Sequence, residues 1–204
     1  MDTAVALVKT YLEISGYFVL AELPVRAAHK GGFHDVTDID VIAVRFPHRQ
    51  QHLDVVKSRP QDVLLGFDRQ LESLEDGLDV IVGEVKESEA RLNPALRKEG
   101  TVALALRRVG CCPEEMVEAE ARLVVQAGHR DHVMPGGMRC RIRLVAFGGH
   151  GATHSGHKYV SLQHCASYIA NRLHEAREAL GGTQFKDPTL ALFALQEKLA
   201  GHRS

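Results

Sequence analysis

The chain of 204 residues has no tryptophan and few other rings, with aromatics at 5% of residues. A locally basic stretch, RFPHRQQHLDVVKSR (45–59), lacks the interleaved aromatics on which single-stranded bases stack. No run of about 18 uncharged apolar residues occurs, so no membrane-spanning helix is expected. The opening MDTAVALVKTYLE carries an acid at position 2 and a lysine inside its apolar stretch, which does not fit a secretory signal peptide. The four cysteines, Cys111, Cys112, Cys140 and Cys165, form no CxxC pair and no regular framework. Reduced thiols in a cytoplasmic protein are the expectation. A formal net charge of −1 gives no global basic field, so any nucleic-acid contact has to be local.

What is present suits one ordinary domain. The length can bury a sizeable core without disulfides or metals, and 45% hydrophobic with 25% charged residues is a typical soluble composition. Apolar residues at Ala4, Val5, Val8, Tyr11 and Leu12 have helical spacing, with Asp2 or Thr3 able to cap and Gly16 to terminate. YFVLAELPVR reads as a strand at a sheet edge, because Pro24 cannot donate to a ladder. AHKGGFHDV reads as a turn, leading into a second strand, TDIDVIAVRF. Residues 47–77 form a polar insertion with a short helix around 61–75. LDVIVGEVK is a third strand. The unbroken runs VIAV and VIV predict strands covered on both faces.

Helices are then expected from about 94 to 109 and from about 113 to 127. MRCRIRLVAFG is a fourth strand and GGHGATHSGHK a flexible loop. Two C-terminal helices follow, one capped by Ser161 and stopped by Gly181, the other capped by Asp187 with Pro188 in its first turn. The order α-β-β-β-α-α-β-α-α predicts an α/β fold. Its mixed four-stranded sheet is flanked by helices, and the crossover makes strands three and four parallel. The whole chain, 1–204, reads as a single domain with a core over about 4–147 and a helical appendage over 158–204.

Within LDVIVGEVKES, Glu84 and Lys86 lie two apart and therefore on one side of their strand, with Val85 opposite. Asp38 and Asp40 likewise share a side of the preceding strand. If the two strands are neighbours, Asp40 comes close to Glu84. Two adjacent carboxylates repel unless a cation lies between them. Mg²⁺ or Mn²⁺ takes oxygen ligands and needs only one or two carboxylates beside phosphate and water. A lysine there can hold or deprotonate water, or neutralise charge growing on a phosphate.

Asp40 in TDIDVIAV together with Glu84, Val85 and Lys86 in GEVK resembles the PD-(D/E)XK nuclease superfamily, the restriction-endonuclease-like fold. The αβββαβ order of that family matches the order read from periodicity, and the resemblance covers roughly residues 4–147. It implies that Asp40 and Glu84 ligate the metal, that the Val85 carbonyl completes its shell, and that Lys86 orients or activates water. It also implies DNA as the nucleic-acid substrate. Glu13, on the first helix, and Asp38 are candidates to support this centre from just outside the metal shell. Arg45, Arg49, Arg91, Arg97 and Lys98 are candidate nucleic-acid contacts. A homodimer would suit duplex cleavage, which needs two sites.

Two other classes of function remain open at this stage. One is a nuclease-like fold without catalysis, serving as a nucleic-acid-binding or protein-assembly module. The other is a zinc site built from His150, His154 and His157, with His164 beyond. Arg139, Arg141 and Arg143 alternate on the fourth strand, and salt bridges to the acid-rich helix EEMVEAEA are their expected use. Cys111 and Cys112 read as a helix-junction pair without a role.

Overall fold

A computed structural model describes residues 2–29, 31–48, 60–151, 157–180 and 183–201. The Asp2 carboxylate caps α1 (Thr3–Ile14) by accepting the backbone N–H groups of Ala4 and Val5. The stripe Ala4, Val5, Val8, Tyr11 and Leu12 is buried along that helix. A hairpin follows, β1 (Phe18–His29) and β2 (Gly32–Arg45), and then β3 (Gly77–Ala90). Two helices, α2 (Glu99–Val109) and α3 (Val117–Ala127), cross to β4 (His129–Val133) and β5 (Arg139–Gly151). The chain continues through β6 (Lys158–Ser161), α4 (Leu162–Glu175), α5 (Arg177–Leu180) and α6 (Pro188–Gly201).

The fold is α/β with a mixed, open, six-stranded sheet in the order β1-β2-β3-β5-β4, with β6 paired to β5. β1, β2 and β3 are antiparallel neighbours, and β3 runs parallel to β5, as the helical crossover requires. One face packs on α1, α4 and α6 through Tyr11, Val41, Ile81, Phe147 and Ile169. The other packs on α2 and α3 through Ile42, Val80, Val82, Leu106 and Val124. Covered on both sides, residues 77–85 of β3 are buried without a break, which is why they read as an apolar run.

Six strands replace the four expected. β4 reads HRDHV, and only its ladder with Arg139–Arg143 makes it a strand. β6 has four residues and is likewise defined by β5. The stretch expected to be a turn before TDID is mostly strand, because the β1–β2 ladder runs out to His29 and Gly32. The helix expected from 94 begins at Glu99, since the Asn93 side chain accepts the N–H of Ala95 and holds a turn there. The helix expected over 61–75 is two short 3₁₀ turns, Pro60–Leu64 and Arg69–Leu71. The C-terminal segment is built into the core, with β6 in the sheet and Cys165, Ile169 and Leu173 of α4 buried.

Polar groups are buried on the α1 face. Asp79 is 0% exposed and receives both Nε (3.2 Å) and Nη2 (2.7 Å) of Arg143, the Tyr17 hydroxyl at 2.7 Å and the Leu74 N–H at 3.2 Å. This network joins β3, β5, the end of α1 and the 71–74 segment. A second network centres on Asp68. Its Oδ2 accepts the Tyr11 hydroxyl at 2.5 Å and contacts His164 Nε2 at 2.6 Å, tying the 60–71 segment to α1 and α4.

Candidate active site

β2 and β3 pair from Arg45–Asp79 as far as Val41–Gly83. Beyond that point β2 pairs with β1 alone, while β3 continues along β5 through Glu84–Ala146 and Lys86–Gly148. Asp40 and Glu84 are the next residue on each strand, so both stand where the sheet divides. The backbone N–H of Val85 donates to Asp40 Oδ2 at 2.7 Å, so a carboxylate takes the donor there. Gly83 makes this approach feasible, since a Cβ at that position would come within 2.6 Å of Val41 and 3.0 Å of Phe147.

Glu84 is 2% exposed. Its Oε1 lies 2.5 Å from Lys86 Nζ, and its Oε2 is buried with no hydrogen-bond partner. Lys86 is half-exposed, so the cluster is reachable from solvent through the lysine. Burial pushes the Glu84 carboxyl above its usual range. The Lys86 ammonium opposes that shift and the Asp40 charge adds to it. Burial also raises Asp40, against the Val85 N–H and Lys86, while Asp38 and Asp2 raise it further. Two carboxyls are thus held where losing their protons is costly, and Glu84 Oε2 makes no close hydrogen bond, although the backbone N–H of Asn93 also favours the charged carboxylate. A hard cation would relieve both conditions.

The structure brings Asp40, Glu84, Val85 and Lys86 together. Asp38 is exposed and close enough for its charge to act on Asp40. Glu13 is engaged elsewhere, with Lys9 one turn earlier at 2.8 Å. The α1 acid that acts on Asp40 is Asp2, at the other end of the helix. Arg45 is 6% exposed and donates to the Leu74 carbonyl at 3.3 Å, with its guanidinium 5.3 Å over the Phe67 ring. It sits opposite Asp79 and shares the Val41 and Ala43 side of β2, so it offers nothing to a phosphate. The alternation of β2 carried that signal, because Arg45 and Asp40 are an odd number of residues apart.

Arg91, Arg97 and Lys98 are exposed on the segment between β3 and α2, downstream of Glu84. Arg49 and His154 lie outside the described residues. Among the described residues, no group of three or more His, Cys, Asp or Glu is arranged to hold a metal ion. The alternating arginines are ion-paired, but to Asp76, Asp131 and Asp79 rather than to the acid-rich helix. The four thiols are free, and burial pushes Cys112 up to about 12, far from a reactive thiolate. Among the described residues, no helix is long and apolar enough to cross a membrane.

No protein-family model matches the chain, and no curated protein or solved structure is detectably similar to it.

Proposed function

We propose that the chain is a divalent-metal-dependent nuclease of restriction-endonuclease-like type, hydrolysing phosphodiester bonds in DNA. The observation that carries this reading is the buried Glu84 carboxylate, whose Oε2 makes no close hydrogen bond, beside Asp40 and Lys86 where the sheet divides. Asp40 and Glu84, with the Val85 carbonyl, would hold Mg²⁺ or Mn²⁺. The ion would polarise a phosphoryl oxygen and lower the pKa of a coordinated water. Asp40 stays fixed through its bond to the Val85 N–H, so its free oxygen has a defined direction. Lys86 places a positive charge 2.5 Å from Glu84 on the solvent side, where it can orient the attacking water and balance charge on the phosphate.

The second reading is the same fold used for binding or assembly alone. The Lys86 ammonium 2.5 Å from Glu84 favours it, because that pair already balances part of the buried charge without a metal. Cleavage of labelled DNA with and without Mn²⁺, by wild type and Lys86→Ala, separates the two. The nuclease reading expects metal-dependent cleavage that the variant loses by at least ~100-fold, with Mn²⁺ affinity nearly kept. Full activity in Lys86→Ala, or none in wild type, refutes it.

A further inference from the structure

We propose that Asn93 is a positioning residue for the metal site: its side chain locks the turn after β3, so that its own backbone N–H holds the Glu84 carboxylate in place. This inference rests on the nuclease reading and adds a residue that acts through Glu84 rather than on the substrate. The fold treats Asp40 and Glu84 alike. Asp40 takes the N–H of Val85 from the neighbouring strand at 2.7 Å. The N–H of Asn93 faces Glu84 from the segment beyond the end of β3 and favours its charged form. Each carboxylate is thus steadied by one main-chain amide, a donor whose direction the surrounding chain fixes.

Several contacts fix Asn93 itself. Its Oδ1 accepts the N–H of Ala95 at 2.9 Å, the two-residue reach that asparagine makes within a turn. Its carbonyl accepts the N–H of Leu96 at 2.9 Å. Leu92 and Leu96 are 3% and 1% exposed in the core beneath α2 and α3, so the turn is pinned on both sides of Asn93. Nδ2 reaches Thr37 Oγ1 on β2 at 3.4 Å, a weaker bond, and that hydroxyl donates onward to the Asp38 carbonyl at 3.3 Å. Asn93 therefore spans the gap that opens where β2 and β3 part beyond the Val41–Gly83 pair. It is half-buried there. An aspartate would make the same turn but add a third carboxylate to Asp40 and Glu84, and an alanine would make none of the side-chain bonds. Asparagine supplies an acceptor for the turn, a donor for β2 and no charge.

The test compares wild type, Asn93→Ala and Asn93→Ser as full chains. Serine keeps a short acceptor that closes the same kind of turn. Mn²⁺ affinity is read by calorimetry without DNA, and kcat and KM with labelled duplex DNA at one fixed Mn²⁺ concentration. Asn93→Ala should bind Mn²⁺ about 10-fold more weakly and lose kcat by ~10-fold, the usual effect of removing a group that orients a metal ligand. KM for DNA should stay within ~2-fold, since Asn93 acts through Glu84 and not on the substrate. Asn93→Ser should regain most of both losses. Thr37→Val removes the β2 tie alone and should show a smaller loss in the same direction. In metal-free wild type the Asn93 amide proton should exchange with solvent at least ~10-fold more slowly than in Glu84→Ala, which removes its acceptor. That comparison and Thr37→Val carry the test should Asn93→Ala fail to fold. Unchanged Mn²⁺ affinity in Asn93→Ala, a KM that rises as kcat falls, or equal amide exchange in wild type and Glu84→Ala overturns the inference. A wild type that binds Mn²⁺ and cleaves nothing, with binding weakened in Asn93→Ala, sinks the nuclease reading and leaves the positioning role standing.

Discussion

The Asp40 carboxylate takes the backbone N–H of Val85 at 2.7 Å, and so couples the first residue beyond the β2–β3 ladder to the residue between Glu84 and Lys86. The same contact separates two roles that a substitution can test. Asparagine at position 40 keeps an oxygen that can accept from Val85 but removes the charge. Asp40→Asn should therefore melt within about 2–4 °C of wild type, the shift that ~1 kcal/mol produces in a chain of this size. Its Mn²⁺ affinity should fall at least ~10-fold by calorimetry. Equal affinity in the two proteins would remove Asp40 from the metal site.

Glu84 gives a pH prediction with a definite sign. Its carboxyl is raised, first by burial, so the folded chain holds that proton more tightly than the unfolded chain. The stability associated with the protonated form is present below the ordinary carboxylate range and is lost as pH rises through the folded value. Glu84→Gln removes that loss. In chelator at neutral pH the variant should melt about 2–4 °C above wild type. The gap should close as the pH falls toward ~4, where the unfolded carboxyl itself gains its proton. Adding Mn²⁺ should stabilise wild type and not the variant. A wild type that melts higher than Glu84→Gln in chelator would show that the pair with Lys86 outweighs burial.

Asp40, Glu84 and Lys86 were legible because charges stand out in apolar strands and a period of two assigns their sides. The outer part of the β1–β2 hairpin was not legible. AHKGGFHDV has the composition of a turn, and most of its described residues are strand because each side of the hairpin supplies the other's ladder. β4 and β6 were hidden for the same reason, being short, polar and defined by β5. Asp2 reads in the sequence only as a helix cap, because a helix stripe shows which side of α1 is buried but not which end meets Asp40. Asp79 was missed inside LDVIV, where a charge 0% exposed passes for part of an apolar run unless its partner is known. That partner, Arg143, lies 64 residues away.

The Asp79–Arg143 pair supplies the last prediction, which concerns stability rather than chemistry. Asp79 is fully buried and Arg143 is 6% exposed, so neither charge is solvated once its partner is gone. Breaking a buried pair from one side costs about 3–5 kcal/mol, because the remaining ion stays desolvated. Asp79→Ala should thus lower the melting temperature by at least ~6 °C and the urea midpoint with it. The Tyr17 hydroxyl and the Leu74 N–H also lose their acceptor, which adds to the loss. The double variant Asp79→Leu with Arg143→Met removes both charges and should recover much of that stability, since two apolar groups leave no unpaired ion. An additive loss in the double variant would mean that the two residues act through separate contacts. A loss below ~1 kcal/mol in Asp79→Ala would mean that water reaches this end of the sheet.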